Sequence, residues 1–231
     1  MEAIVLAGGF GTRLSHIVSN VPKPMAPVAG KPFLEYILDD LVENDITHIV
    51  LAVHYKKENI IDYFGNHFKS ATIDYSIEKT PLKTGGAIKQ GLSLCRDDRV
   101  LVVNGDTFYK VPYQKMRQFS IKMGKLVTIA VKEMDNFSRY GKIDVDRNGL
   151  ITAFHEKEFC NKGYINGGIY DIKRSALDLC PDAFSIEDVY FPAILAKGEI
   201  QAFPCDNYFI DIGVPEDYEK AQEDFLRVNM L

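Results

Sequence analysis

The sequence predicts an α/β protein with a mainly parallel central sheet flanked by helices and a smaller α+β lobe. Three observations predict it: β-type apolar segments alternate with helical ones, a glycine-rich turn follows the first strand, and longer alternating strands begin near Leu126. Strands joined through helices form right-handed βαβ units, and these build parallel sheets. The 231 residues fit one domain.

The first half of the chain alternates strand and helix. Apolar side chains at helical spacing predict a helix at 32–42, directly after the predicted first strand at 3–7. The same reasoning predicts further strands at 48–53, 72–77 and 100–103, and helices at 57–68 and 87–94. Ligands of such sheets bind beyond the carboxyl ends of the strands.

The second half has a different character. Asn148-Gly149 is typical of a hairpin turn between strand residues at 144–146 and 149–151. A last helix is predicted at 216–226. Because no segment is linker-like and no long period repeats, we expect one domain with two lobes.

Composition excludes several classes of protein. Hydrophobic residues make up 46% and charged residues 26%, which excludes collagen-like, disordered and low-complexity chains. The net charge of -5 lacks the basic excess of a nucleic-acid or membrane-surface binder, so neither partner is expected. An anionic ligand must therefore be held by a few placed cations.

The cysteines and the first residues indicate a compartment. Cys95, Cys160, Cys180 and Cys205 lie far apart without zinc-site spacing and are expected to be reduced thiols. The sequence has neither the basic start of a signal peptide nor a run near ~18 apolar residues. We therefore expect a cytoplasmic protein.

The glycine-rich turn follows the first strand. Gly8, Gly9 and Gly11 offer unobstructed N–H groups before the Arg13 guanidinium, a suitable cradle for a polyphosphate. It is not a dinucleotide fingerprint, because Leu14 occupies the third glycine position, and no P-loop pattern occurs. A purely structural turn is the alternative.

Lys23 follows this turn between two prolines. Pro22 and Pro24 fix φ and keep the backbone extended, so the lysine is presented rigidly. An isolated Pro-Lys-Pro is usually only a loop. Its place after a phosphate-type turn favours an ammonium that reaches the same phosphates.

Two aspartates are candidate metal ligands. Asp106 follows the buried strand at 100–103 and could hold Mg²⁺, with a helix N-cap as the alternative. Asp211 stands between Ile210 and Ile212 and needs a metal or a hydrogen-bond donor as its partner.

Six segments in this order resemble the sugar-phosphate nucleotidyltransferases, or sugar nucleotide pyrophosphorylases: Leu6–Leu14, Pro22–Pro24, Leu82–Ala87, Asn104–Asp106, Glu156–Lys157 and Asp211–Gly213. The resemblance implies a Rossmann-like nucleotidyltransferase fold. It also implies a nucleotide-binding lobe at about 1–110 and a sugar-phosphate-binding lobe at about 111–231. Within the family, the chain is similar to the short enzymes that make GDP-D-glycero-α-D-manno-heptose, and also to N-acetylmuramate 1-phosphate uridylyltransferases.

The reaction implied by the resemblance transfers GMP from GTP to a heptose 1-phosphate, with Mg²⁺ as cofactor and a surface polysaccharide such as a capsule as destination. The phosphate nucleophile is already ionised at pH 7, so the reaction requires no general base and no covalent intermediate. One alternative is a pyrophosphorylase that uses UTP, dTTP or CTP with N-acetylmuramate, glucose or mannose 1-phosphate. A second is a non-catalytic nucleotide-sugar-binding regulator. Such a protein would not need the full charged set, which comprises Arg13, Lys23, Asp106, Lys157 and Asp211.

The resemblance implies roles for individual residues. Arg13 would stabilise the leaving phosphates, Lys23 would bind the α-phosphate region and Lys157 would bind the sugar 1-phosphate. Asp106 and Asp211 would hold Mg²⁺. The nucleotide would also contact Leu6, Ala7, Gly8, Gly9, Gly11, Thr12, Gly85 and Gly86, and the sugar Gly141, Glu156, Asn166 and Gly167.

Base selectivity and assembly leave alternatives open. Lys83 replaces the first glycine of the family's usual Leu-Gly-Thr-Gly-Gly, and a solvent-facing side chain is favoured over a phosphate contact. Glu78 could accept hydrogen bonds from guanine or be a surface carboxylate beside Lys79. Strand alternation predicts that His155 faces away from Glu156. Apolar residues of the second half fit a homodimer interface or the core.

Overall fold

The structure is a computed structural model and describes residues 1–9 and 21–228. The strands are β1 (Glu2–Leu6), β2 (Pro27–Val28), β3 (Lys31–Pro32), β4 (His48–Val53), β5 (His67–Phe68), β6 (Ala71–Ile77), β7 (Arg99–Asn104), β8 (Thr107–Tyr109), β9 (Val127–Phe137), β10 (Gly141–Val145), β11 (Ile151–Lys157), β12 (Cys160–Lys173), β13 (Ile200–Pro204) and β14 (Phe209–Asp211). The helices are α1 (Phe33–Glu43), α2 (Lys57–Phe64), α3 (Lys83–Leu92), α4 (Tyr113–Met123), α5 (Phe191–Leu195) and α6 (Pro215–Val228). Across the described ranges, no helix is both long enough and apolar enough to cross a membrane.

Four parallel strands form the centre of the main sheet, in the order β7-β1-β4-β6. Each is joined to the next along the chain through a helix, as predicted. Because β1 lies between β4 and β7, the winding direction reverses at the β1/β7 boundary. Open α/β sheets bind ligands at such a reversal, outside the carboxyl ends of the strands.

Antiparallel strands extend the sheet on the β7 side. Strand β12 pairs with β7, β9 and β10, the β10–β11 hairpin forms the edge, and β13 lies beside β9. The predicted turn is present, with Gly149 at φ +79. One ten-stranded sheet therefore runs through both halves of the chain.

A short two-stranded sheet lies beside the carboxyl end of β7. Strands β8 and β14 are antiparallel, and Asp211 is registered against Thr107. The N–H of Ile212 also donates to the carbonyl of Asp106 at 3.1 Å. This pairing brings together two chain segments that are about a hundred residues apart.

Apolar side chains fill both faces of the main sheet. On one face, α1 buries its apolar positions, and Phe225 of α6 packs its ring against Tyr36 at 4.2 Å between centroids. On the other face, α3 and α5 cover the sheet through residues such as Ile88 and Phe191. The predicted flanking by helices on both faces is confirmed.

Two predicted helix boundaries are wrong. The helix predicted at 57–68 ends at Phe64, because Gly65 takes φ +59, and β5 then pairs with β6. The helix predicted at 87–94 begins earlier, at Lys83. This second difference affects the candidate site.

A charged cluster closes the amino end of the parallel strands. One oxygen of Glu2 accepts the N–H groups of Arg96 at 2.6 Å and Asp97 at 2.5 Å, and the other contacts His48 Nδ1 at 2.7 Å. His48 Nε2 lies 3.0 Å from Asp74. Burial raises the pKa of Glu2, but these hydrogen bonds outweigh it and hold the pKa below its ordinary value.

Candidate active site

The carboxyl ends of β1 and β7 meet at the winding reversal. The Gly105 N–H donates to the Leu6 carbonyl at 3.0 Å, and a Cβ at Gly105 would lie only 2.6 Å from that oxygen. Only glycine fits so close to the neighbouring backbone. The turn after β7 therefore places Asp106 directly beside the end of β1.

Three predicted charged residues converge there. Lys23 Nζ lies 2.6 Å from Asp106 Oδ2 and 3.6 Å from Asp211 Oδ1. Lys23 begins a 3₁₀ turn whose next residues, Pro24 and Met25, are buried, and its own side chain is only 13% exposed. The prediction of an extended backbone at Lys23 is therefore wrong, and the buried Pro24 and Met25 of this turn anchor the lysine between the two carboxylates.

The electrostatics of this cluster favour cations. Burial raises the pKa of Asp211, and the nearby Asp106 raises it further. Lys23, the Gly213 N–H at 2.7 Å and Arg139 oppose this only in part. Asp106 is followed by strand β8, so the alternative of a helix N-cap is wrong. Two crowded carboxylates sharing one lysine would be stabilised by a further positive charge.

The donor set fits Mg²⁺. This ion binds through one or two carboxylates together with substrate phosphate oxygens and water. Asp106 and Asp211 supply two carboxylates, and across residues 1–9 and 21–228 no cluster of three or more His, Cys, Asp or Glu side chains offers another metal site. A metal here would depend on phosphate oxygens for its remaining ligands.

Only some of the predicted nucleotide-binding residues lie within the part of the chain that the structure describes. Gly11, Thr12 and Arg13 lie outside the described residues. Leu6 ends β1, and the Ala7 N–H donates to the Ala52 carbonyl at 2.8 Å. Gly9 is exposed, and no other described residue lies within 4 Å of a Cβ built there, whereas a Cβ at Gly8 would lie 3.1 Å from Glu78 Oε1.

Gly85 and Gly86 have a different environment from the one expected. They lie in the first turn of α3, and both N–H groups donate to the Phe184 carbonyl, at 2.8 and 3.2 Å. A Cβ would lie 2.2 Å from the Phe184 ring at Gly85 and 2.1 Å from the Asp182 carbonyl at Gly86. Close packing of the 182–184 segment therefore explains these glycines, and their N–H groups already have an acceptor.

The structure decides where the side chains of Lys83 and Glu78 lie. Lys83 takes φ +59, the left-handed conformation that glycine favours, and its side chain is exposed to solvent as predicted. Glu78 is buried, so the surface interpretation is wrong. Its Oε2 accepts the Leu82 N–H at 2.8 Å, and its Oε1 lies next to Gly8 at the end of β1.

A cavity of about 610 Å³ opens beside the charged cluster. Its lining includes four predicted sugar-binding residues together with Asp211: Gly141, Glu156, Lys157 and Asn166. Gly167 is not among the lining residues, because it packs where a Cβ would lie 2.5 Å from the Tyr109 ring. The neighbouring Gly168, at φ +72, lines the cavity instead.

His155 also lines the cavity, so the prediction that it faces away from the sugar side is wrong. The β10–β11 register slips between Gly141 and Ile143, which places both His155 and Glu156 opposite Lys142. A bulge of this kind interrupts strand alternation. His155 Nε2 contacts Asp144 at 2.6 Å, and Asp144 also pairs with Lys142 at 2.8 Å.

Several lining residues were not predicted: Asn104, Thr107, Tyr140, Lys142, Glu187, Asp188 and Phe191. Burial, followed by the charge of Asp211, raises the pKa of Tyr140 to about 12, so its hydroxyl stays protonated. Glu187 and Asp188 lie on a π-helical turn at Ile186–Tyr190, and Phe191 begins α5. The N-cap of the π-helical turn, Ser185, bonds the Asp188 N–H, so a Ser-x-x-Asp pattern could have marked this turn.

Comparisons with known proteins agree with this arrangement. The profile of the nucleotidyl transferase family matches residues 2–228. The D-glycero-α-D-manno-heptose 1-phosphate guanylyltransferase of Aneurinibacillus thermoaerophilus is 42% identical, covering 97% of this chain and 98% of that protein. The enzyme of the same name from Campylobacter jejuni is 44% identical, covering 94% and 97%.

A solved structure also matches nearly the whole chain. HddC from Yersinia pseudotuberculosis, in complex with GMP-PN, superposes with a TM-score of 0.88 at 36% identity, covering 97% of this chain and 99% of that one. The two sequence matches and the structural match each extend over nearly the whole chain. The chain belongs to the nucleotidyl transferase family.

Proposed function

We propose that this protein transfers GMP from GTP to D-glycero-α-D-manno-heptose 1-phosphate, giving GDP-D-glycero-α-D-manno-heptose and pyrophosphate. One observation carries the proposal: Asp211 belongs both to the cluster with Lys23 and Asp106 and to the lining of the 610 Å³ cavity. A charged cluster suited to a metal and phosphates thus adjoins a cavity with room for a sugar. The names of the two full-length relatives supply the choice of sugar and base.

The transfer needs two polyanions to be held in line. An oxygen of the sugar 1-phosphate attacks the α-phosphorus of GTP, and the bond from that phosphorus to the bridging oxygen of the β-phosphate breaks. Pyrophosphate leaves with the bond electrons, and no enzyme-bound intermediate forms. Catalysis then comes from orientation and from charge stabilisation.

Mg²⁺, held by Asp106 and Asp211, would supply Lewis-acid polarisation of the phosphate oxygens. Lys23, fixed between these carboxylates, would bind the same phosphates through its ammonium. Lys157, at the edge of the cavity, would bind the phosphate of the sugar. These cations offset the repulsion between the two substrates in a protein with a net charge of -5.

Glu78 is our candidate for reading guanine. Its buried Oε1 lies at Gly8, beside the end of β1, and a carboxylate accepts hydrogen bonds from guanine N1–H and N2–H₂. Its Oε2 is fixed by the Leu82 N–H. Adenine and uracil do not offer this pair of donors, so the contact would favour GTP.

The test is pyrophosphate release with Mg²⁺, combining GTP, ATP, UTP, CTP or dTTP with heptose, mannose, glucose or N-acetylmuramate 1-phosphate. We expect release with GTP and the heptose phosphate above all other pairs. Another preferred pair would overturn the substrate assignment and keep the reaction class. Tight binding without release would favour a nucleotide-sugar-binding regulator.

The setting of this activity is part of the proposal. GTP and a sugar phosphate are cytoplasmic metabolites, and the product is an activated heptose suited to building a surface polysaccharide such as a capsule. We expect deletion of the gene to remove heptose from such a polymer. An unchanged sugar composition would contradict this setting.

A further inference from the structure

Glu187 occupies an irregular part of the fold at the wall of the cavity. It lies on the π-helical turn at Ile186–Tyr190 and lines the cavity together with Asn166 and Tyr170. π-helical turns are rare and occur frequently at functional sites. None of the roles assigned above uses this carboxylate.

The segment that carries Glu187 is fixed to the first turn of α3. Three backbone hydrogen bonds join them: Phe184 N–H to the Leu82 carbonyl at 3.0 Å, and the N–H groups of Gly85 and Gly86 to the Phe184 carbonyl. The Thr84 hydroxyl adds a further bond by accepting the Ile186 N–H at 3.0 Å. The turn is therefore held rigidly against the nucleotide side of the protein.

The two oxygens of the Glu187 carboxylate have unequal partners. Oε2 accepts hydrogen bonds from the hydroxyls of Thr84 at 2.7 Å and Ser185 at 3.2 Å. In the described part of the chain, the partner of Oε1 is the Tyr170 hydroxyl, at a long 3.5 Å. Burial, with the charge of Glu187 as the next cause, raises the pKa of Tyr170 well above its ordinary value, so this hydroxyl stays a donor.

Asn166 completes this side of the cavity. Its Nδ2 donates to the Tyr170 hydroxyl at 3.0 Å, and its Oδ1 accepts the Gly168 N–H at 2.9 Å. Asn166 and Tyr170 are thereby held in place around Glu187. Oε1 thus belongs to a carboxylate that is oriented through its other oxygen and has room for stronger donors.

We propose that Glu187 is a specificity-determining residue whose Oε1 accepts hydrogen bonds from hydroxyl groups of the sugar. This rests on the proposed function. A carboxylate repels phosphate, so it suits the uncharged hydroxyl-bearing part of the sugar, whereas Lys157 suits the phosphate. Thr84 acts as a positioning residue, because its hydroxyl fixes the other carboxylate oxygen.

The experiment combines Glu187→Gln with sugar 1-phosphates that each lack one hydroxyl. We expect the variant to raise the KM for the intact sugar phosphate about 10- to 100-fold, the effect of losing a hydrogen bond to a charged group. The KM for the nucleotide should change less than about 2-fold. One deoxy substrate should lower kcat/KM in the wild type by a similar factor and produce little further loss in the variant.

Asp182→Asn is the matched control. It removes the same charge from the same segment, but Asp182 is 94% exposed and pairs with Lys89. Glu187→Asp keeps the charge on a shorter side chain and should lie between Gln and wild type, which separates hydroxyl binding from loss of folding. Equal penalties for every deoxy substrate in wild type and variant would overturn the proposal.

The two proposals fail in different ways. The preferred substrate pair of the wild type tests the proposed function, whereas the ratio between variant and wild type tests the role of Glu187. If the wild type prefers another sugar 1-phosphate, the deoxy series is made on that sugar. If it turns over none, dissociation constants of the same sugar phosphates for wild type and Glu187→Gln decide the role of Glu187.

Discussion

The two ends of the parallel sheet treat carboxylates in opposite ways. At the amino end, Glu2 is matched by two N–H donors and His48, and its pKa is lowered. At the carboxyl end, Asp106 and Asp211 crowd around Lys23, and the pKa of Asp211 is raised. The first arrangement stabilises the fold by itself, whereas the second would be stabilised further by a ligand.

This difference separates structural from functional charge within one sheet. A carboxylate with all its donors in place contributes to folding and has no capacity left for a ligand. A carboxylate with an excess of like charge nearby is a poor stabiliser and a good ligand for a cation. Substitutions at the two ends should therefore affect different measurements.

The largest effect is expected for Asp106→Asn. Removing one preorganised charge from the reacting phosphates should lower turnover about 10²- to 10³-fold, while the melting temperature changes little. Pyrophosphate release at saturating Mg²⁺ measures the turnover, and a thermal melt measures the melting temperature. Asp62→Asn, an exposed charge on α2, is the control. Near wild-type turnover would remove Asp106 from the metal site.

Lys157→Ala should weaken binding of the sugar phosphate. Loss of a charge-assisted contact to phosphate predicts a KM for the sugar 1-phosphate about 10- to 100-fold higher, with a smaller change for the nucleotide. Initial rates at varied concentrations of each substrate measure both. Lys162→Ala, which removes a lysine paired with Glu133, should leave both constants unchanged. The reverse pattern would assign Lys157 to the nucleotide.

Glu2→Gln tests the other end of the sheet. It removes the charge that receives the Arg96 and Asp97 N–H groups, and we expect it to lower the free energy of unfolding by about 1–3 kcal/mol. Turnover at 25 °C should not change. Urea denaturation measures the loss, and the exposed Glu58→Gln should alter it by less than about 0.5 kcal/mol. If Glu2→Gln lowered turnover and left the free energy of unfolding unchanged, the structural role of Glu2 would be contradicted.

The smallest effect, and the sharpest distinction, is in pH dependence. The lowered pKa of Glu2 means that its stabilisation is present above the ordinary value of 4.5 and is lost as the pH falls through the folded-state pKa. The raised pKa of Asp211 has the opposite sign, because ionisation disfavours the folded state as the pH rises above the ordinary value of 3.8. Asp211→Asn should thus become more stable than wild type, by about 0.5–2 kcal/mol, as the pH rises.

Unfolding curves between about pH 3 and 7 measure both differences. We expect the stability of Glu2→Gln relative to wild type to fall with rising pH, and that of Asp211→Asn to rise. If the relative stabilities of both variants changed with pH in the same direction, the pKa values of Glu2 and Asp211 would not be shifted in opposite directions.

Local rules predict the parallel strands, whereas the grouping of Lys23, Asp106 and Asp211 at one site is predicted through the family resemblance. The glycine before Asp106 restricts the backbone, so the position of Asp106 follows from the motif, whereas the prolines around Lys23 predict an extended backbone where the structure has a 3₁₀ turn. The β10–β11 turn follows in the same way from Asn148-Gly149. Where backbone preference decides the structure, the local sequence pattern is sufficient to predict it.

The cavity wall depends on contacts between distant segments. Gly85 and Gly86 were interpreted as ligand-binding glycines, but the segment at 182–184 packs on them. His155 faces the cavity through a bulge, which no alternation pattern predicts. Glu187 is oriented by Thr84, a residue far away in sequence. These positions follow from tertiary packing rather than from local pattern.

Strand β12 joins the two halves of the molecule. Its Ile169–Lys173 portion pairs with β7 on one side and with β9 on the other, and its earlier residues pair with β9 and β10. A fragment ending near residue 110 would lose this neighbour and expose an open edge at β7, the kind of edge that recruits other chains. We therefore expect both lobes to unfold in one cooperative transition, and the fragment alone to aggregate.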